Sequence, residues 1–131
     1  FPNEKEQASL MINGDAPVYD FVRLRLLNGE PMSLDSTVMP LNLVPGLNKT
    51  HLESSVFRYV QETLGLKIMG SYRVVRALKP NALDREHLVC EQTDPVLEVE
   101  QVIYLEDGTA LEYAHCHYRY DHGGIVIVNN G

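Results

Sequence analysis

Residues 18–40 read VYDFVRLRLLNGEPMSLDSTVMP, and this stretch decides the fold. Its first arm places Arg23 and Arg25 two residues apart, so both guanidinium groups leave one face of a strand, together with Phe21. Val22, Leu24 and Leu26 point the other way and are expected to face a core. Asn28-Gly29 is a preferred hairpin dipeptide because both residues tolerate positive φ. The return arm stops at Pro40, which cannot donate to a ladder. Two parallel arginines on a rigid strand form a fork for phosphate or carboxylate. The same spacing also fits two solvated charges on the outer face of a half-buried sheet.

The remainder of the chain sets the frame for that hairpin. At 131 residues it fits one domain with one core. No apolar run approaches the roughly 20 residues that span a bilayer, and no signal pattern opens the chain. It begins at Phe1, which suggests a fragment or a processed product. The formal net charge of -7 argues against this piece gripping nucleic acid by itself. Cys90 and Cys116 make no disulfide framework, so a reducing cytoplasm is the expected compartment.

Along the chain, residues 1–16 are polar and mixed, with a short helical turn expected over Ala8–Ile12. Asn13-Gly14-Asp15 with Pro17 turns the chain into the first strand. Leu41–Lys49, with Pro45-Gly46, reads as a loop. Ser54 or Ser55 is expected to cap a helix, and Thr50 with Glu53 offers an earlier capping box. Val56, Val60 and Leu64 recur at helical spacing, and Gly65 sits where a terminating glycine belongs. Leu66–Lys79 reads as a strand closed by Pro80, and Asn81 as the cap of a helix over Ala82–Leu88. Val96–Leu105 and Ala110–Tyr120 form a second hairpin around Glu106–Thr109. Gly123-Gly124 breaks the pattern, and Ile125–Val128 is expected as a last short strand. Hairpin-linked strands with helices between them predict an α+β fold with a predominantly antiparallel sheet and helices packed on it.

The second hairpin carries the other candidate groups. Glu112, Ala114, Cys116, Tyr118 and Tyr120 share one face; Tyr113, His115, His117 and Arg119 share the other. Glu112 and Tyr118 offer an acceptor and a hydroxyl to a polyhydroxylated ligand, or else an edge carboxylate and a half-buried tyrosine. His115 and His117 have possible ligand spacing, but nothing completes four metal ligands. Ser55 at a helix N-terminus fits either phosphate binding or plain capping. No nucleophile-elbow or phosphate-loop motif is present.

Taken in order, RLRLLNGEPMSLDSTVMP followed by PGL, then SSVFRYVQETLGL, then VIYLEDGTALEYAHCHYRYD resemble the UTRA domain. This is the effector-sensing domain of GntR/HutC-type bacterial transcription regulators, and the similarity runs from about Ala8 to the C-terminus. The resemblance implies a chorismate lyase-like fold, a homodimer and a small anionic effector, often a sugar phosphate. It implies a repressor whose winged helix-turn-helix precedes this chain, so that DNA is met only through that absent domain. Neither cofactor nor metal is implied. In the sugar-phosphate sensors of this family the positions matching Arg23, Arg25 and Ser55 hold the phosphate. Those matching Glu112 and Tyr118 face the sugar, and Asp35 matches the acidic residue of the first hairpin. Phe57 stands where these sensors often carry tyrosine, which removes one hydroxyl from the cradle. Because the fold family includes a lyase, an enzyme acting on a small anionic substrate is the alternative, and a bare dimerisation module is the third reading.

Overall fold

A computed structural model describes residues 1–122 and 124–128. Five strands form one antiparallel sheet: β1 (Val18–Leu27), β2 (Glu30–Pro40), β3 (Ile68–Leu78), β4 (Val96–Leu105) and β5 (Ala110–Arg119). Their spatial order is β1-β2-β5-β4-β3. Both hairpins form as the sequence predicts. Asn28 and Gly29 adopt φ of 53° and 81°, the left-handed pair that a two-residue turn requires. The interior of the sheet is β5, whose two neighbours are both long strands.

Helices cover the two faces unequally. On the back face, α1 (Glu4–Leu10) lays Leu10 against Val38, Val102, Ala110 and Tyr113. This helix starts earlier than the expected Ala8, because Asn3 and Glu6 form a reciprocal capping box. Further along that face α4 (Ala82–His87), capped by Asn81, leads into Leu88, which packs with Leu34, Cys90 and Val96. On the front face the segment after the first hairpin builds the larger core. Here α2 (Lys49–Glu53) is capped by Asn48 rather than by Thr50, with His51 closing the box. Ser54 ends that helix, and Ser55 caps α3 (Val56–Arg58), which runs into a π-helical turn over Tyr59–Thr63. The expected single helix is therefore two short pieces and a widened turn. Val56 and Val60 still face inward, joining Met39, Val44, Ile103, Leu105 and Leu111. Each fully buried side chain of this kind contributes about 1.5–3 kcal/mol. Cys90 and Cys116 are buried, unpaired thiols in separate clusters. Among the described residues, no helix is long and apolar enough to cross a membrane.

Two sequence expectations are overturned. Val22, Leu24 and Leu26 alternate as expected, but they are 52%, 41% and 56% exposed, whereas Phe21 packs against the front core. β1 is an edge strand, and its buried side is the one that also carries the arginines. The run Ile125–Val128 forms no strand and lies exposed. β5 is the central strand with a partner on each side, so a segment continuing from its end is not beside the free edges, which belong to β1 and β3. Gly123 lies outside the described residues.

The back face also holds a fully partnered charged cluster. His117 stands between Asp84, which is wholly buried, and Glu98, with Nδ1 2.9 Å from both Asp84 oxygens and Nε2 2.7 Å from Glu98 Oε2. Carboxylates only accept, so both ring nitrogens donate when the ring is an imidazolium. Burial alone would lower the His117 pKa, but the bonds from Asp84 and Glu98 outweigh it and hold it above its ordinary value. Arg76 bridges Glu98 and Glu100, His115 lies 3.4 Å from Glu98, and the Tyr113 hydroxyl donates to Glu100. A raised folded pKa stabilises fully below the unfolded value near 6.5 and is lost as pH rises through the folded one. Thermal melts of wild type and His117→Gln from pH 5.5 to 9 should therefore differ most at the acidic end and converge at the alkaline end. A constant difference across that range would show that the ring acts by packing alone.

Candidate functional site

Strand register brings the front-face polar residues together. Arg23 pairs across from Asp35, and Arg25 from Ser33. Asp35 in turn pairs with Cys116, and Ser33 with Tyr118. Side chains at directly opposed positions lie on the same face. Glu112 follows on the same face of β5, and Gln101 and Arg73 sit across β4 and β3. Five of the seven residues singled out in the sequence, Arg23, Arg25, Asp35, Glu112 and Tyr118, thus share one surface of three adjacent strands.

Ser55 and Phe57 stand apart from that surface. The Ser55 hydroxyl accepts from Arg58 N at 3.2 Å, which is its capping role. Phe57 packs against the front core. The cavity beside the arginines is walled instead by Lys49, Leu52, Glu53 and Ser54, against Val22 to Leu26, with a volume of about 630 Å³. A second cavity of about 410 Å³ opens over β3 and β4, where Arg73, Gln101, Tyr118 and His122 meet a floor of Val75, Leu97 and Val99.

The electrostatics of the site are those of a sheltered acidic patch ringed by arginines. Glu112 is 4% exposed, and burial pushes its carboxyl upward; Gln101 and Arg23 pull it down and Asp35 pushes it up again. Gln101 Nε2 donates to Glu112 Oε2 at 3.1 Å, while Arg73 Nε donates to Gln101 Oε1 at 3.0 Å. This relay across three strands fixes where the Glu112 carboxylate points. Arg25 Nη1 stands 3.8 Å from Asp35 Oδ2, a loose contact for a half-exposed guanidinium. The Cys116 thiol, between Asp35 and Glu112, is pushed up to about 12 by burial and by those two carboxylates. It stays protonated and is a poor nucleophile. Tyr118 is likewise raised, chiefly by burial.

Sequence reading missed Gln101, Arg73 and Ser33. The second hairpin, once drawn with its turn at Glu106–Thr109, already sets Gln101 opposite Ala114 and beside Glu112. Arg73 required the pairing of β3 with β4, which no local motif announces. Ser33 lies on the predicted return arm of the first hairpin but carries no charge to draw notice.

The UTRA domain description matches residues 2–122. The HTH-type transcriptional regulator GmuR of Bacillus subtilis is 43% identical over 129 residues, covering 98% of this chain and 54% of GmuR. The chain thus spans about half the length of the curated relatives it matches. Among solved structures, the possible transcriptional regulator YydK of Bacillus subtilis superposes with a TM-score of 0.94 at 28% identity, over 98% of this chain and 57% of that one. The effector binding domain of the B. subtilis trehalose repressor TreR superposes with a TM-score of 0.86 at 28% identity, over 99% of this chain and 90% of that one. The five-stranded antiparallel sheet with its few helices is the architecture of these effector-binding domains. Fold, order of motifs and coverage agree, and the chain belongs to the UTRA domain family of GntR-type transcription regulators.

Proposed function

We propose that this chain is the effector-sensing and dimerisation domain of a GntR/HutC-type repressor, and that it binds a small anionic effector of the sugar-phosphate class. The DNA-binding winged helix-turn-helix belongs, on this reading, to a segment outside the 131 residues. The supporting observation is the convergence of Arg23 and Arg25 with buried Asp35 and Glu112 and with Tyr118 on one face. Arginines suit the phosphate, and buried carboxylates suit sugar hydroxyls, which donate to them. Support also comes from the relatives, which are named as transcriptional regulators, one of them a trehalose repressor. In this reading Ser55 keeps to its capping of α3, and Ser54 is the serine in the wall of the cavity beside the arginines. Phe57 contributes packing and no hydroxyl.

The domain acts by population shift. Effector binds one arrangement of the dimer better and biases the spacing of the DNA-binding domains. A thousandfold change in DNA affinity requires about 4 kcal/mol of differential binding. The partner surface is the exposed apolar row of Val22, Leu24 and Leu26 on the back of β1. Light scattering at high micromolar concentration should give twice the single-chain mass, and Leu24→Asp should return the monomer. A monomeric wild type would remove the dimer from the proposal.

The anion fork is tested with a thermal-shift screen against hexose phosphates, followed by calorimetry on the best binder. A ligand at 100 times its Kd adds about 2.7 kcal/mol of stability. Arg23→Ala and Arg25→Ala should each weaken that binder about tenfold to a hundredfold, with losses that do not add, because the two share one anion. Lysine at either position should rescue partly, since it keeps the charge and loses the planar fork. The unliganded melting temperature should move little for Arg25→Ala, whose side chain is half exposed with one loose contact. Unaltered affinity in both variants would overturn the arginine clamp.

A further inference from the structure

Three buried polar atoms of the first hairpin have no hydrogen-bond partner among the described residues: Arg23 Nε, Ser33 Oγ and Asp35 Oδ1. Ser33 is wholly buried and Asp35 is 4% exposed. They are alternate residues of β2, so both face the front, each opposite one arginine of β1. Cys116, the β5 neighbour of Asp35, offers only a weak S–H donor. Tyr118, the β5 neighbour of Ser33, makes no hydrogen bond to it. Leaving a buried polar group unpaired costs about 1–3 kcal/mol, and folded proteins rarely leave several side by side. On the back face of the same sheet Asp84, Glu98, Glu100 and His117 are all partnered, and the one back-face atom without a hydrogen bond among the described residues, Arg119 Nε, lies 2.9 Å from the Asp121 carboxylate.

We infer that Ser33 is a specificity-determining residue, which together with Asp35 takes up hydroxyl groups of the effector beside the anion fork. The inference rests on the anionic-effector reading above and narrows it: the effector carries at least one hydroxyl within reach of its anionic group. The chemistry assigns the partners. Ionised Asp35 only accepts, so the ligand hydroxyl donates to Oδ1. The Ser33 hydroxyl both donates and accepts, and completes the hydrogen bonding of that ligand oxygen or its neighbour. Arg25 pairs with Ser33 across the hairpin and is half exposed, which sets the anion fork directly beside this hydroxyl. A site built to pair a hydroxyl discriminates against ligands that lack it, because its own buried groups are then left unpaired.

The test uses calorimetry of the full 131-residue chain with inorganic phosphate and with the 6-phosphates of glucose, mannose and fructose. Wild type, Ser33→Ala, Asp35→Asn and Arg25→Ala are compared, with a thermal melt of each in the absence of ligand. Ser33→Ala should lose about tenfold in affinity for the best hexose phosphate and much less for inorganic phosphate. Asp35→Asn should show the same preferential loss. The unliganded melting temperature of Ser33→Ala should stay level or rise, since no protein partner is orphaned. Hexose-phosphate affinity equal to wild type in Ser33→Ala would overturn the inference. So would a lowered unliganded melting temperature with unaltered affinity, the mark of a hydroxyl that serves a buried water. If Arg25→Ala weakens every probe while Ser33→Ala weakens none, the anion fork stands and this inference falls. If Ser33→Ala weakens the hexose phosphate while Arg25→Ala changes nothing, the fork falls and this inference stands. Failure of every probe to bind wild type would overturn both.

Discussion

The pairing register between β2 and β5 is the constraint on which the other features depend. It sets Asp35 against Cys116 and Ser33 against Tyr118, and it places His117 against Leu34 on the reverse side. Side chains alternate with a period of two, so a slip of one residue would move every one of them to the wrong face. Arg23 and Arg25 would then lose their acidic neighbours, and Leu34 would leave the cluster under Leu88. Two sources hold the register. The Asn28-Gly29 turn fixes β2 against β1, and the buried row on β5, from Ala110 to Ala114, is claimed by helices and strands on both sides.

That central strand carries polar residues into the interior in both directions, and the two faces treat them differently. On the back, Asp84, Glu98, Glu100, His115, His117 and Arg76 satisfy one another across β3, β4, β5 and α4. A buried network of this kind is tolerable because each member has a partner, and it ties α4 to the sheet. On the front, Glu112 is oriented by Gln101 and Arg73, yet Ser33, Asp35 and Arg23 keep atoms without partners. The same sheet therefore separates a polar cluster that holds the fold together from one whose hydrogen bonds are left open. Burial is common to both clusters; the carboxylates and His117 of the back cluster are paired, whereas Ser33 and Asp35 on the front are not.

Much of this was legible in the sequence, in unequal parts. Arg23, Arg25, Glu112 and Tyr118 were found because each sits on a hairpin whose turn is announced by Asn28-Gly29 or by Asp107-Gly108. With alternation known, their shared faces follow. Alternation does not say which side of an edge strand meets the core, and Val22, Leu24 and Leu26 were misjudged for that reason. The helical segment was legible as a buried stripe, since Val56 and Val60 do pack inward, but not as a geometry. Asn48 and His51 form an unusual capping box, and Tyr59 is held by stacking on His51 and by donating to the Pro45 carbonyl. Those contacts come from the loop and accompany the interruption at Ser54. Ile125–Val128 has the composition of a strand and lacks a neighbour to pair with, which no local signal reveals.

The placement of β1 links site and surface. Arg23 and Arg25 lie on its front; Val22, Leu24 and Leu26, their immediate neighbours in the chain, lie on its back. An edge strand is bonded on one side alone, so β1, like β3 at the other edge, is freer to shift than the three interior strands. On the proposed reading, an anion drawn between the arginines and the segment around Lys49 and Ser54 pulls on this strand from the front. On the same reading, a partner subunit would rest on Val22, Leu24 and Leu26 from behind. A displacement of the strand is felt on both sides, because adjacent side chains share one backbone. Coupling between ligand and dimer then needs no relay through the core, and its strength is set by how firmly β2 holds β1 in register.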